Sequence, residues 1–278
     1  MARLAASCLF LMALATPTLA SEASPIGLPE PVWPQYTGTE FQALYRYAVA
    51  STLPGLEMPE GRHSITGNAA TDDRIWQLAL ARGYEPQPIA VGGALVSAPI
   101  LMQRGAAEGW RTLNAEARQA GMGFIARSAY RSLATQRTMF VQRLSGSSDA
   151  AIDAALRWAA PPGMSKHHGG YAIDFRYPDG TYGSFRSSPG YAWLARDNFA
   201  AAIRNGFIPS YPDDVDNQGP NPEPWEFVWV GTDLIRCGIP QLQHPVYGPA
   251  AGLASDLARC PGGAGPVELP DWLRGPLG

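Results

Sequence analysis

Hydrophobic side chains recur about every three to four positions in six stretches of the chain, which predicts six helices. Two lie near the start, over "TEFQALYRYAVAS" (39–51) and "TDDRIWQLALARGY" (71–84), and the others over 99–119, 133–144, 149–160 and 189–207. Thr71 or Asp72 is the expected N-cap of the second helix, and Gly83 its end. The pair Asn205-Gly206 is typical of a left-handed C-cap and ends the last helix.

Short runs of β-branched and aromatic residues lie between these helices. They predict strands at "FIARSAY" (124–130), "YAIDFRY" (171–177) and "WEFVWV" (225–230). Helices interleaved with short strands favour an α+β fold. We expect an N-terminal helical extension over 21–95, a core domain over 96–236 and a Gly/Pro-rich tail over 237–278.

The first twenty residues, "MARLAASCLFLMALATPTLA", have the pattern of a secretory signal peptide. Arg3 gives a positive start, an apolar run too short to span a membrane follows, and small residues lead to Ala20. We therefore expect an exported protein, periplasmic or extracellular, that is not held in the membrane after cleavage. A buried N-terminal helix is the alternative.

Removal of that segment leaves two cysteines, Cys237 and Cys260. An even count in an exported chain permits one disulfide, and two free thiols are the alternative. The composition is that of a globular protein, with 46% hydrophobic residues. A net charge of -3 gives no basic surface for nucleic acid, so we expect no nucleic-acid partner.

The stretch "SKHHGGYAIDF" (165–175) places His167 and Asp174 seven residues apart. A hydrolytic zinc site takes three protein ligands and leaves one position for water. The two side chains can meet one ion if the turn at Gly169 and Gly170 brings the histidine over the start of the strand. Spacing alone leaves a solvated loop histidine and a capping aspartate equally open.

Three sequence motifs occur along the chain in the same order as in a known protein family. They are S-x-H-x-x-G-x-A-x-D at 165–174, "SAYRSLATQ" upstream at 128–136, and "NGF" followed by "EPW" downstream. Over about residues 95 to 232 the chain resembles the D-alanyl-D-alanine carboxypeptidases of peptidase M15, of the vancomycin-resistance type. Their superfamily also contains lysostaphin-like endopeptidases and the hedgehog signalling domain. The resemblance implies a small antiparallel sheet that carries the metal-site motifs, with helices on its flanks.

The resemblance also implies roles for single residues. His167 and Asp174 match two zinc ligands, and Glu223 matches the general base, which then protonates the leaving amine. Arg131 matches the arginine that receives the terminal carboxylate of the substrate, a task that suits a bidentate guanidinium. Three further positions are expected to border the substrate: Tyr130, Gln136 and Ser165. The expected partners are the stem peptides of peptidoglycan.

One position departs from the family pattern. The family ends its downstream motif with a histidine, E-P-W-H, as third zinc ligand, whereas this chain has "EPWE", with Glu226 at that position. Glu226 can itself bind the metal, and a second negative ligand predicts slower turnover or a preference for a harder ion such as Mn²⁺. Alternatively the metal is lost, or another histidine substitutes, with His63, His168 and His244 as candidates.

Two functions follow from these alternatives. The first is an exported metallopeptidase of the D-alanyl-D-alanine carboxypeptidase kind, with Glu223 as general base. The second is a non-catalytic module on the same fold that binds peptidoglycan or regulates its processing. Metal content separates them, because the enzyme requires a bound metal and the binding module does not.

Overall fold

The computed structural model describes residues 33–91 and 95–238. The described residues form eight α-helices: α1 Gly38–Ser51, α2 Ala69–Ala81, α3 Arg104–Gln119, α4 Leu133–Val141, α5 Asp149–Leu156, α6 Tyr182–Arg186, α7 Pro189–Ile203 and α8 Thr232–Cys237. They also form eight strands: β1 Leu56–Glu57, β2 Ile89–Ala90, β3 Leu95–Ser97, β4 Leu101–Gln103, β5 Ile125–Ser128, β6 Ala172–Arg176, β7 Phe207–Pro209 and β8 Glu226–Trp229. The predicted α+β class is confirmed.

A four-stranded antiparallel sheet in the order β5-β6-β8-β7 lies at the centre. One of its faces is covered by aromatic side chains, with Phe175 stacked between Trp110 of α3 and Phe227 of β8 at centroid distances of 5.1 and 5.3 Å. These rings are almost fully buried, and aromatic burial of this kind dominates core energetics. The sheet is therefore held rigidly on that face.

Helix α1 packs into the same core as the sheet. Thr37 and Glu40 form a capping box at its start, and Phe41, Leu44 and Tyr45 point into the core. A second cluster of buried residues lies between α2 and α5 and includes Trp76 and Leu156. None of the described helices is long and apolar enough to cross a membrane.

Two predicted helix starts are wrong. Helix α2 begins at Ala69 with Asn68 as N-cap, whose Oδ1 accepts from the Thr71 backbone N–H, so neither predicted cap is used. Asp72 instead accepts backbone hydrogen bonds from Ile65 and Thr66, which ties down the preceding loop. The helix predicted over 99–119 begins at Arg104, because residues 101–103 pair as β4 with β3.

The helix predicted over 189–207 is interrupted. Asp197, Asn198 and Phe199 have φ between 52 and 63°, in the left-handed region that non-glycine residues avoid. Tertiary contacts offset this cost. The Asn198 side chain pairs with the backbone N–H and C=O of Tyr36 at 2.8 Å each, and the Phe199 ring packs against Phe227.

Several expectations lie outside the described residues: the signal segment over 1–20, most of the tail over 237–278, and His244. Cys237 ends α8 and is disulfide-bonded. Its pairing with Cys260 stays a prediction, because Cys260 lies outside the described residues.

Gly206 follows α7 with φ +84°, as the predicted C-cap requires, and a Cβ there would lie 2.5 Å from Trp229 Nε1. We expect Gly206→Ala to lower the free energy of unfolding by about 2–4 kcal/mol, from the left-handed backbone plus the overlap. Gly121→Ala is the matched control, since Gly121 has φ +74° and open space around its Cβ position. It should cost about 1–2 kcal/mol. Urea denaturation measures both, and equal losses would contradict the Trp229 contact.

Candidate functional site

The central sheet brings two acidic side chains together. Asp174 in β6 and Glu226 at the start of β8 are directly opposite each other in the antiparallel register. Side chains at such paired positions lie about 4.5–5.5 Å apart on the same face of a sheet. Both residues are buried, with 5% and 3% of their surface exposed, so the two carboxylates face each other away from solvent.

His167 is placed above these carboxylates by a 3₁₀ turn, Lys166–Gly169, which ends at Gly170 with φ +75°. Its Nδ1 lies 2.5 Å from the Ala129 carbonyl, which only accepts, so Nδ1 carries the hydrogen and donates it. Nε2 is thereby directed at the two acids, 3.2 Å from Asp174 Oδ1 and 3.2 Å from Glu226 Oε2. A histidine whose other nitrogen is fixed in this way is oriented to bind a metal.

The three side chains fit a metal ion. One ligand atom from each of His167, Asp174 and Glu226 lies within 4.8 Å of the others, and all three residues are buried. Asp174 Oδ1 is itself buried, and apart from its 3.2 Å contact with His167 Nε2 it has no hydrogen-bond partner within the described part of the chain. A buried carboxylate oxygen without a hydrogen-bond partner is costly, and a cation in the cluster would satisfy it. Neutral imidazole and carboxylate oxygens are ligands that Zn²⁺ accepts.

The pKa values in the cluster are set mainly by the attraction between His167 and the neighbouring carboxyl groups. Burial and the Arg131 charge lower the pKa of His167, but Asp174 and Glu226 outweigh them and raise it to about 9. Burial raises the pKa of Glu226, but the His167 charge, a hydrogen bond to His167 and Arg131 lower it to about 2. Without a metal, these interactions favour the protonated form of His167 beside the ionised form of Glu226.

Glu226 is also held from the opposite side by Ser210. The Ser210 hydroxyl donates to Oε1 of Glu226 at 2.6 Å, and the Ser210 backbone N–H donates to the Glu226 carbonyl at 3.0 Å. The Ser210 carbonyl accepts a hydrogen bond of 2.6 Å from Lys166 Nζ. Burial lowers the pKa of Lys166 to about 8, although Glu226 and Glu85 oppose this shift.

Glu223 lies beside the cluster at the turn that leads into β8. Its backbone N–H donates to the Tyr211 carbonyl, and its carbonyl accepts from the Glu226 N–H at 2.9 Å. Burial, together with the negative charges of Glu226 and Asp174, raises the pKa of Glu223 well above its usual range. A carboxyl group with a raised pKa next to a metal cluster is suited to accept and donate protons near neutral pH.

Arg131 is anchored on both its backbone and its side chain. Its backbone N–H donates to the His167 carbonyl, and its Nη1 donates to Gln136 Oε1 at 2.9 Å. Its Nη2 lies 3.7 Å from Asp174 Oδ2, and its Nε makes no hydrogen bond within the described residues. Gln136 is buried and donates to the Ala160 carbonyl at 2.7 Å, so it fixes the orientation of Arg131.

A cavity of about 920 Å³ opens over these groups. Most of the predicted site residues line it, namely Arg131, Gln136, Ser165, Asp174, Glu223 and Glu226. Its walls also carry Trp158, Tyr182 and Trp225. Two predicted residues are not among its lining: His167 is covered by the carboxylates, and Tyr130 uses its backbone N–H to bind the Leu101 carbonyl.

The other described histidines are not part of the cluster. His168 Nδ1 donates to the Arg131 carbonyl, and its Nε2 accepts from the Gly163 N–H, so both ring nitrogens are occupied. Burial lowers the pKa of His168 to about 4, in keeping with a neutral ring. His63 lies beside Gly163 and Trp76 in a separate cavity. Among the described residues, the third position of the cluster is therefore filled by Glu226.

Sequence reasoning missed Lys166 and Ser210. Lys166 carries a signal that was available, because it is the only lysine in the chain and directly precedes His167. Ser210 gives no such signal, since its contact with Glu226 depends on the pairing of β7 with β8.

One protein family and one characterised relative are similar to the part of the chain that carries the cluster. Residues 99–232 match the family model described as D-alanyl-D-alanine carboxypeptidase. A D-alanyl-D-alanine carboxypeptidase of Enterococcus faecalis is 28% identical over 186 residues, which are 64% of this chain and 67% of the relative.

Two solved structures are similar to part of the chain. A mutant of the vancomycin-resistance D,D-pentapeptidase VanY in complex with Zn(II) is 27% identical with a TM-score of 0.46, covering 54% of this chain and 85% of that one. VanYB in complex with D-alanine-D-alanine is 26% identical with a TM-score of 0.45, covering 54% and 84%. The family match and the three ordered motifs support the VanY-like D-alanyl-D-alanine carboxypeptidase family of peptidase M15 for residues 99–232.

Proposed function

We propose that the protein is an exported metallocarboxypeptidase that removes a terminal residue from peptidoglycan stem peptides, with zinc as the metal. One observation carries this proposal: the buried group of His167, Asp174 and Glu226 lies in one cleft with Glu223 and Arg131. Three protein ligands leave a position open, which is typical of catalytic zinc sites. The family description supports D-alanyl-D-alanine termini as the substrate class.

The metal would be held by His167 Nε2, Asp174 and Glu226, and would supply a Lewis acid that polarises the scissile carbonyl. Glu223 takes a proton from the attacking water and then delivers it to the leaving amine. The raised pKa of Glu223 makes its carboxylate a stronger base for the proton of the water. Its place on the rigid turn before β8 keeps it beside the ligands.

Arg131 receives the terminal carboxylate of the substrate. Its side chain is only 14% exposed, so a carboxylate there meets a guanidinium largely removed from water, where a charge-assisted bidentate pair is strong. Gln136 holds Nη1, which fixes the plane of the guanidinium group. This arrangement favours cleavage at the C-terminal peptide bond over cleavage within a chain.

A second candidate function is supported by the electrostatics of the cluster. Protonated His167 lies 3.2 Å from both carboxylates and can hold them together without a metal. A chain that had lost its metal would keep a formed cleft and act as a peptidoglycan-binding module. Elemental analysis of the purified protein decides between the two, because a stoichiometric metal supports the enzyme and a metal-free protein supports the module.

Substitution of the two glutamates should separate the ligand from the base. Loss of a residue that only contacts a metal ligand weakens metal binding about 10–100-fold. Glu226→Ala removes a ligand itself, so it should weaken Zn²⁺ binding by more than that. Glu223→Gln should keep the metal and lower kcat about 10²–10⁴-fold. Metal content and hydrolysis of a peptide ending in D-Ala-D-Ala measure these effects. Exposed Glu108→Ala is the control, and unchanged metal binding in Glu226→Ala would contradict the ligand assignment.

Arg131→Lys should lower kcat/KM about 10–100-fold on a peptide with a free C-terminus, because a lysine cannot reproduce the planar pair of donors. On the same peptide with an amidated C-terminus the wild type should already be slow, and the substitution should change little. Arg137→Lys, on the exposed face of α4, is the matched control. Equal rates of wild-type cleavage for the free and amidated peptides would overturn the role of Arg131.

A further inference from the structure

Lys166 is the only lysine among 21 basic residues of the sequence, and it is buried beside the metal-ligand cluster with 8% of its surface exposed. Its Nζ lies 4.0 Å from the ring centroid of Tyr211 and 4.7 Å from that of Tyr45. Aromatic faces attract a cation but replace only part of its hydration. A buried ammonium group of this kind needs a negative charge nearby.

Glu226 is the acid whose negative charge the Lys166 ammonium group compensates. Among the nearby acids, Glu85 is already paired with the Arg46 guanidinium at 2.6 and 3.1 Å. Glu226 is linked to Lys166 through one residue, because Ser210 accepts from Lys166 Nζ and donates to Glu226 Oε1.

The geometry of Ser210 also selects which oxygen of Glu226 faces the cluster. The Ser210 hydroxyl holds Oε1 at 2.6 Å, and Oε2 is left 3.2 Å from His167 Nε2. A glutamate is longer and more mobile than the histidine found in the family motif, and it adds a negative charge. A carboxylate at this position therefore needs one oxygen restrained and its charge offset.

We propose that Lys166 and Ser210 are positioning residues that adapt this site to a carboxylate as third ligand. Ser210 presents Oε2 of Glu226 as a single ligand atom, and the Lys166 ammonium group offsets the charge that the glutamate adds. Tyr45 of α1 and Tyr211 hold the ammonium group in place. The metal-binding half of this inference rests on the proposed function, whereas the coupling between Lys166 and Glu226 does not.

A double-mutant cycle on the chelator-treated, metal-free protein tests the coupling. Lys166→Met should lower Tm by at least about 3 °C, because Glu226 loses its charge compensation. In the Glu226→Gln background the same substitution should leave Tm unchanged or raise it, since a buried cation without an anion is less favourable than an apolar side chain. Equal losses in both backgrounds would show that Lys166 only fills space, and would overturn its role.

The restraint by Ser210 is tested through metal affinity. Ser210→Ala should weaken Zn²⁺ binding about 10–100-fold in a chelator competition assay. Ser64→Ala is the control, because the Ser64 hydroxyl also donates to a carboxylate, that of Asp72, which is outside the cluster. It should change the affinity less than about twofold. Equal effects of the two substitutions, or none from Ser210→Ala, would overturn the positioning role of Ser210.

A third measurement uses the single lysine directly. Selective ¹³C/¹⁵N-lysine labelling yields one lysine side-chain NMR signal, which Glu226→Gln should shift and Gly121→Ala should not. An unshifted signal in Glu226→Gln contradicts the coupling. A wild type that binds no Zn²⁺ overturns the proposed enzyme and the ligand role of Ser210. If the wild type binds no Zn²⁺, the double-mutant cycle and the NMR signal still test the coupling between Lys166 and Glu226.

Discussion

The antiparallel pairing of β6 with β8 sets Asp174 opposite Glu226, and the rest of the cleft is arranged around that pair. A shift of one residue in this register would turn one of the two carboxylates to the other face of the sheet. The register is fixed on both sides, since β5 pairs with β6 and β7 pairs with β8. Stacked aromatic side chains bury the opposite face, so the strands cannot slide without disrupting the core.

This pairing concentrates charge, which the surrounding side chains must balance. Three carboxyl groups, Asp174, Glu223 and Glu226, lie close together in a largely buried site. Arg131, Lys166 and protonated His167 supply the opposite charges. Since His167 has a pKa of about 9 without a metal, it must give up a proton for Nε2 to bind one, and metal binding then depends on pH.

The segment before the matched region is part of this balance. Helix α1 lies in the same buried core as the sheet, and its Tyr45 contacts the Lys166 ammonium group. The Tyr45 hydroxyl is fixed in turn by a 2.6 Å hydrogen bond to Gln87. Of the roles open to residues 33–91, support of the site from behind is the one that these contacts favour.

The sequence by itself determined the α+β class, most of the helices and strands, and the candidate ligands and base, because these depend on local periodicity and on motifs of fixed spacing. It left Glu226 ambiguous, because whether a carboxylate can replace a histidine depends on what surrounds it. Only the tertiary structure decided that Glu226 faces His167, that both nitrogens of His168 are occupied, and that Ser210 donates to Glu226 and accepts from Lys166. The same is true of the left-handed break at 197–199, where contacts distant in sequence outweigh local helix preference. The late start of α3 has a local cause, since residues 101–103 pair with the nearby strand β3. The longest of these contacts joins residues 162 positions apart, and no local pattern records which of them will meet.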